Sequence, residues 1–257
     1  NSTTAGGISL YNLGSASLSM KVEIANNDLQ NSIYPVLSFR GSPLTMDRVE
    51  LTDTTSLTYS LYLHSTPAII TNSTFSNSGN SPVIWLTSGS SIDLLNSIVW
   101  SDGQEHPEIQ THYDEGVPVV TISYSDIDGG ESGVDTQDYG ILNWGEGNID
   151  EAPQFVESEN GDYHLMASSP CIDTGNPASD LDPDGTTADM GAIYYDQINA
   201  PIVWGCSTDP EATNYNPDAN AEFTCLYNTG PDWYVAVDGS DSYNDGSEEF
   251  PFSTINH

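Results

Sequence analysis

Lys21-Val-Glu-Ile24, Arg48-Val-Glu-Leu51, Asn72-Ser-Thr-Phe75, Asn96-Ser-Ile-Val99 and Tyr124-Ser-Asp-Ile127 are five versions of one short block. Their last residues lie 27, 24, 24 and 28 positions apart. Side chains alternate within each block, so Val22 and Ile24, Val49 and Leu51, Ser73 and Phe75, Ser97 and Val99, and Ser125 and Ile127 share one face of a strand. A pattern that returns at a nearly fixed interval of this length predicts stacked structural units.

Another apolar run precedes each block: Ile8-Ser-Leu10, Val36-Leu-Ser-Phe39, Leu61-Tyr-Leu63, Val83-Ile-Trp-Leu86 and the weaker Ile109-Gln-Thr-His112. Two or three short strands in about 25 residues, joined by turns rich in Asn, Ser, Gly and Pro, make one coil of a parallel β-helix. A β-sandwich also offers short strands, but it predicts hairpin turns and no column of like residues at one interval. The expected fold is therefore all-β, a parallel β-helix. Asn72 and Asn96 fall at the same place in successive coils, where an inward Asn can hydrogen-bond the backbone of the coils above and below in a ladder; the competing reading is that Asn is common in turns. Ser17, Ser19, Thr45 and Thr121 suit outward strand positions.

Tyr34, Phe39, Tyr62 and Trp85 recur near these strands. Alternation with polar neighbours favours their burial as core. Turned outward instead, they would form a ladder on which neutral sugars stack.

The chain has 257 residues, room for one elongated domain and one or two small appendages. Only Lys21, Arg40 and Arg48 are basic, against 38 acidic residues, and residues 101 to 257 carry 32 acidic side chains with no Lys or Arg. Such a surface repels nucleic acid, anionic lipid and anionic polysaccharide, because binding phosphate or uronate requires Lys or Arg. It invites divalent cations, since calcium takes carboxylate and carbonyl oxygens. Acidity also keeps a secreted or salt-adapted protein soluble. No apolar run approaches the roughly 20 residues that span a bilayer, so no membrane insertion is expected. Residues 1 to 8 lead straight into a coil strand without a covering element, which reads as a piece cut from a longer protein or a mature form released by cleavage.

From Asp126 onward the interval fails. Gly129, Gly130, Gly133, Gly140, Gly145 and Gly147 make the run through Asn148 loop-like, with Tyr139, Ile141, Leu142 and Trp144 available to cover the end of the stack. Four motifs follow: Asn148-Ile-Asp-Glu-Ala-Pro-Gln-Phe155, Gly161-Asp-Tyr-His-Leu165, Ser168-Ser-Pro-Cys-Ile-Asp-Thr-Gly175, and Asp182-Pro-Asp-Gly185 running to Asp189-Met-Gly-Ala192. Here the chain resembles secreted bacterial right-handed parallel β-helix proteins, whose last coils end in a closure segment of this kind. The resemblance covers about 45 residues. It implies the fold and a secreted location, and no single activity. The family usually carries an Arg after the Asp-x-Asp-Gly turn, where this chain has Thr187; if that Arg pairs with a carboxylate, a cation takes its place here.

Asp180, Asp182 and Asp184 before Gly185 space carboxylates at every second residue, like the first half of a calcium loop. The bidentate Glu of such a loop is missing, Gly191 standing in its place, so the site would be completed by Asp189 or by backbone oxygens. The competing reading is an Asp-Pro-Asp-Gly turn whose side chains cap their own backbone.

Gly205-Cys-Ser-Thr-Asp-Pro-Glu-Ala-Thr-Asn-Tyr-Asn-Pro-Asp-Ala219, closing at Cys225, resembles a short two-Cys module of bacterial surface proteins, with one extra residue between Cys206 and Asp209. About 20 residues bury too little core to fold unaided, so the resemblance implies a Cys206–Cys225 disulfide and an oxidising compartment. Cys171 is left as a small buried residue beneath the Ser-Pro turn. Trp233 to Asp241, Asn244-Asp-Gly-Ser247 and Pro251-Phe-Ser-Thr-Ile255 are similar to the opening of a further β-helix domain, with Asp238, Asp241 and Asp245 in its turns as additional calcium candidates. The expected organisation is coils over 1–147, closure over 148–198, the two-Cys module over 199–229 and a capping segment over 230–257. An uncovered first coil and a capping segment in one chain are complementary, which suggests head-to-tail homo-polymer assembly.

Catalysis finds little support. Uronate lyases need basic groups that this chain lacks beyond residue 48, and no Asp-Asp pair exists. Asp126 and Asp128, with Glu105 or Asp114 on neighbouring coils, are the only carboxylates suggesting glycoside hydrolysis. His106, His112 and the other three His residues lack zinc spacing. The expectation is an extracellular structural or adhesive protein, calcium-supported, at a bacterial cell surface. A glycan-binding or glycoside-hydrolysing β-helix is the alternative.

Overall fold

A computed structural model describes residues 8–11, 16–18, 37–54, 59–77, 81–101, 106–227, 234–244 and 246–253. Two compact units emerge, one of residues 1–165 with 169–195 and one of residues 196–257 with 166–168.

The first unit is a parallel β-solenoid of about four turns. One sheet stacks Ile8–Tyr11, Leu37–Arg40, Leu61–His64, Ile84–Thr87, Ile109–His112 and Val134–Asp135. A second stacks Ala16–Leu18, Leu44–Asp47, Pro67–Thr71, Ser91–Leu95, Val119–Ser123 and Ile141–Trp144, and a third stacks Glu50–Thr54, Thr74–Asn77, Ile98–Val99 and Asp126–Ile127. Every pairing in these three sheets is parallel, and the register holds across coils except for a bulge between Leu51 and Thr54 of the third sheet.

The register turns the sequence interval into columns. Leu37, Leu61, Ile84 and Ile109 lie over one another, as do Met46, Ile70, Leu94 and Ile122. Leu51, Phe75, Val99 and Ile127 form the matching column of the third sheet. All of these side chains are buried in one core. Each coil therefore hides its apolar face only when the next coil is in place, so stability belongs to the stack.

The block that recurs in the sequence is the corner between the second and third sheets. Arg48, Asn72, Asn96 and Tyr124 all adopt left-handed backbone, with φ of 54°, 46°, 49° and 47°. Asn tolerates that conformation best among residues with a Cβ. The Asn96 side-chain amide donates to Asn72 Oδ1 at 3.2 Å, a link from side chain to side chain where the ladder reading expected bonds to the backbone of the neighbouring coils.

A second ladder runs beside it through the buried serines. The backbone amides of Val49, Ser73 and Ser97 donate to the hydroxyls of Ser73, Ser97 and Ser125 one coil on, each at 3.1 Å. Ser125 N donates in turn to Asn148 Oδ1 at 3.1 Å, ending the series. Each hydroxyl donates to the carbonyl two residues earlier, so no polar atom of the ladder is left unmet in the core.

The stack continues where the sequence interval was expected to fail. Val134–Asp135 and Ile141–Trp144 extend the first two sheets, and Ile149 bridges to Asp126. Leu142 and Trp144 pack on the core, whereas Tyr139 and Ile141 stay exposed. This coil is short and its turns need glycine: Gly129 and Gly147 have φ of 78° and 74°. Glycine-rich turns thus disguised a coil as a loop.

In the second unit Cys206 and Cys225 are disulfide-bonded, and Trp204–Gly205 pairs with Ala221–Glu222. Asn214 ties this module together, donating to the Thr224 carbonyl and accepting from Leu226 N at 2.9 Å each.

Candidate functional site

Residues 169–195 form a strap that runs back along the outside of the third sheet. Outward positions Glu50, Thr74, Ile98 and Asp126 of that sheet are buried, although they point away from the core. Cys171 lies at the Asp126 coil, its thiol 3.2 Å from Asp126 Oδ2. Asn176 N donates to Asn96 Oδ1 at 2.8 Å, and Gly191 N to the Asn96 carbonyl at 2.9 Å. Ala192 N donates to Thr74 Oγ1 at 3.0 Å. The Arg48 guanidinium lies 4.0 Å from Asp182 Oδ1. Four coils are engaged in turn.

This explains the strap's motifs residue by residue. A Cβ on Gly191, at φ 106°, would stand 2.9 Å from the Ile98 side chain, and one on Gly175 would stand 2.5 Å from the Ala188 carbonyl. Only glycine lets the strap lie so close. Asp189 accepts Asp173 N and Tyr195 N, each at 2.7 Å, and Asp182 accepts Asp189 N at 2.7 Å. Asp184 accepts the amide and hydroxyl of Thr186. These carboxylates accept backbone amides of the strap, and the Arg48 guanidinium lies beside Asp182.

The other calcium candidates are dispersed. Asp180 and Asp238 are exposed, Asp241 accepts Ser253 N at 2.8 Å, and Asp245 lies outside the described residues. Among the described residues the one cluster with cation-ligand spacing is Cys206, Glu222 and Cys225, whose sulfurs are already joined to each other.

Of the carboxylates that suggested hydrolysis, Asp126 is sealed beneath the strap and Glu105 lies outside the described residues. Burial pushes Asp126 up to about 7, against the lowering effect of its bonds from Cys171 and Glu151 N. Burial likewise pushes Glu108 up to about 8, although the Ser101 hydroxyl donates to it at 2.7 Å. Asp189 is pushed up to about 7 by burial, opposed by its two amide donors. The Cys171 thiol is raised well above its usual range by burial and by Asp126, which keeps it protonated.

The exposed chemistry lies on the first sheet. Phe39 points into the core, as expected for the aromatics, but Tyr62 and Trp85 point outward, contrary to the burial that alternation was read to favour. The strands read Leu61-Tyr62-Leu63 and Ile84-Trp85-Leu86. The flanking aliphatics take the inward slots, and a period of two leaves the ring between them on the outer face. Tyr34 lies outside the described residues.

Other aromatic groups gather around these two rings. Tyr59 lies 4.2 Å from Trp85 and 6.3 Å from Tyr62, ring centre to ring centre, and His112 lies 6.1 Å from Trp85. The Arg40 guanidinium sits 4.9 Å from the Tyr62 ring centre. Tyr113 and Tyr139 form a second, tilted pair with ring centres 5.7 Å apart toward the last coil. Polar groups line the rings: Thr87 Oγ1 lies 3.2 Å from the Tyr62 hydroxyl and 3.0 Å from His64 Nδ1. Rings beside fixed hydroxyl and imidazole groups offer apolar faces and hydrogen bonds on one surface. Sequence reasoning singled out Tyr62 and Trp85 for this face but missed Tyr59 and Tyr113, and it gave His112 and Tyr139 no place beside them.

Comparison with models of protein families, with curated proteins and with solved structures finds no match to this chain.

Proposed function

We propose that this chain is an extracellular adhesive β-solenoid that holds neutral polysaccharide on the aromatic face of its first sheet. The observation that carries the reading is the outward set of Tyr59, Tyr62, Trp85 and His112, with ring centres 4.2 to 6.3 Å apart. Planar rings stack on the apolar faces of sugars, while the Tyr62, His64 and Thr87 group supplies donors and acceptors for their hydroxyls. A net charge of −35 disfavours uronates, sulfated glycans and nucleic acid.

The Cys206–Cys225 disulfide and the resemblance of residues 148–192 and 205–225 to bacterial surface proteins support an oxidising, extracellular setting. In this reading the solenoid is scaffold and adhesin, calcium acts at most on the acidic turns, and copies associate head to tail through the capping segment. The closest competitor, glycoside hydrolysis, loses Asp126 to the strap.

A glycan array with neutral and anionic polysaccharides tests the proposal. Binding confined to neutral glycans, and lost in Trp85→Ala with the melting temperature held within a few degrees, is the expected result. Preference for pectate or alginate, or binding indifferent to Trp85, would overturn it.

A further inference from the structure

The outer face of the first sheet is ordered in two directions, and this order constrains the ligand beyond its class. Across coils the register places Tyr62 over Trp85 over Gln110, and His64 over Thr87 over His112. The aromatic groups drift from the first of these columns to the second. Tyr62 and Trp85 occupy the early part of their strands with Tyr59 just before the first of them, His112 ends its strand, and Tyr113 and Tyr139 lie beyond strand ends.

The rings therefore mark a diagonal track across four successive coils, from Tyr62 to Tyr139. Coils in a parallel stack are about 4.8 Å apart, so the track advances about 14 Å along the stack. Its far end is the most open part: Tyr113 and Tyr139 are 50% and 61% exposed, and no apolar residue of the core covers them.

The polar partners keep step with the track. The Tyr62, His64 and Thr87 group lies at its start, and His112 Nδ1 lies 3.4 Å from Gln137 Oε1 at its end. In the column that the rings have left by this point, the Gln110 amide donates to Asp135 at 2.8 Å. A carboxylate here would repel a uronate carboxylate laid over the same place, which keeps the whole track selective for neutral chains.

We infer that the ligand is a linear neutral glycan of about four pyranose units, laid along the solenoid axis with roughly one unit per coil at the ~4.8 Å coil spacing. Tyr62 with Tyr59, Trp85, His112 and the Tyr113–Tyr139 pair are its four successive contacts. This rests on the glycan reading of the same face. It differs from a single sugar pocket, which would be satisfied by one or two units and would be indifferent to residues three coils away. It differs also from a chain lying along one strand, which would meet Tyr62 or Trp85 but not both ends of the track.

Calorimetric titration of the full chain with cello-, manno-, xylo- and laminari-oligosaccharides of two to six units separates these cases. Affinity should rise with each unit up to four and level off at five and six. Trp85→Ala should abolish binding at every length. Tyr139→Ala, at a surface site that supports no core contact, should lower affinity about tenfold for four units, the size of one aromatic contact, and leave two units unchanged. If affinity levels off at two units, or if Tyr139→Ala affects all lengths alike, the axial track is wrong while glycan binding stands. If no oligosaccharide of any length binds, both the track and the glycan reading fall.

Discussion

The coils and the strap occupy the same unit but are held by opposite means. A coil is held by repetition: each buried side chain meets its counterpart one coil away, and each strand finds its backbone partners in the next. The strap has no repeat to lean on. It runs across the coils, so its amides cannot join a ladder, and side-chain oxygens of Asp126, Asp182, Asp189, Asn96 and Thr74 meet strap or neighbouring groups instead. Regular structure satisfies its backbone collectively, whereas an irregular cover must satisfy each amide with a particular residue. Damage should therefore spread in the coils and stay local in the strap.

The largest effect is expected in the core. Phe75 is fully buried between Leu51 and Val99, and Phe75→Ala should cost about 4 kcal/mol through the cavity it leaves. Denaturant unfolding should show the loss in a single transition, because removing one rung's filling loosens its neighbours. A second transition preserving half of the stack would break the contrast between collective and local support.

Asp189→Ala is the counterpart in the strap. It removes the acceptor of the part-buried amides of Asp173 and Tyr195, at a cost of about 2.5 kcal/mol. Hydrogen exchange should accelerate over residues 171–195 and remain slow in the first and second sheets. Uniform acceleration would show that strap and stack form one cooperative structure.

How much of this was legible in the sequence follows from the same contrast. Repetition is visible along a chain, so the 24-residue spacing from Leu51 to Phe75 to Val99 announced the coils and their inward faces. The serine ladder was also present as Ser73, Ser97 and Ser125 at one place in the block, although only the asparagines beside them were read as a ladder. The orientation of Trp85 was recoverable from its two aliphatic neighbours. By contrast, Arg48 with Asp182 and Thr74 with Ala192 join residues more than a hundred positions apart, with no spacing rule to reveal them. The glycine and aspartate turns of the strap were visible in the sequence, but the coil each one grips was not.

Acidity adds a pH test of the boundary between the two regions. Asp126 sits where strap meets stack, facing Cys171, with Asp150 and Glu151 as its charged neighbours. Its folded value of about 7 exceeds the 3.8 of an ordinary aspartate, so its contribution is fully present below about pH 4 and is lost as pH rises through 7. Glu108, raised to about 8, acts in the same direction over a slightly higher window. Asp126→Asn keeps an oxygen for Glu151 N and removes the charge. It should match the parent at pH 4 and exceed it by about 2 kcal/mol at pH 8. Melting curves at pH 4, 6 and 8 measure this, and an unchanged slope in the variant would remove Asp126 as the cause.

The smallest expected effect tests whether the coils themselves borrow the strap's method. Ser97 does within the stack what Asp189 does in the strap: its hydroxyl accepts Ser73 N at 3.1 Å and donates to the Leu95 carbonyl at 2.9 Å. Ser97→Ala removes both bonds and leaves one buried amide unmet, which should cost about 1.5 kcal/mol. Ser97→Thr preserves the hydroxyl but adds a methyl to a fully buried site. If alanine is the milder of the two substitutions, packing governs the corner and the serine ladder is incidental. If threonine is milder, the corner depends on the hydroxyl, and the stack combines collective support with a one-to-one bond at the position where its chain must turn left-handed.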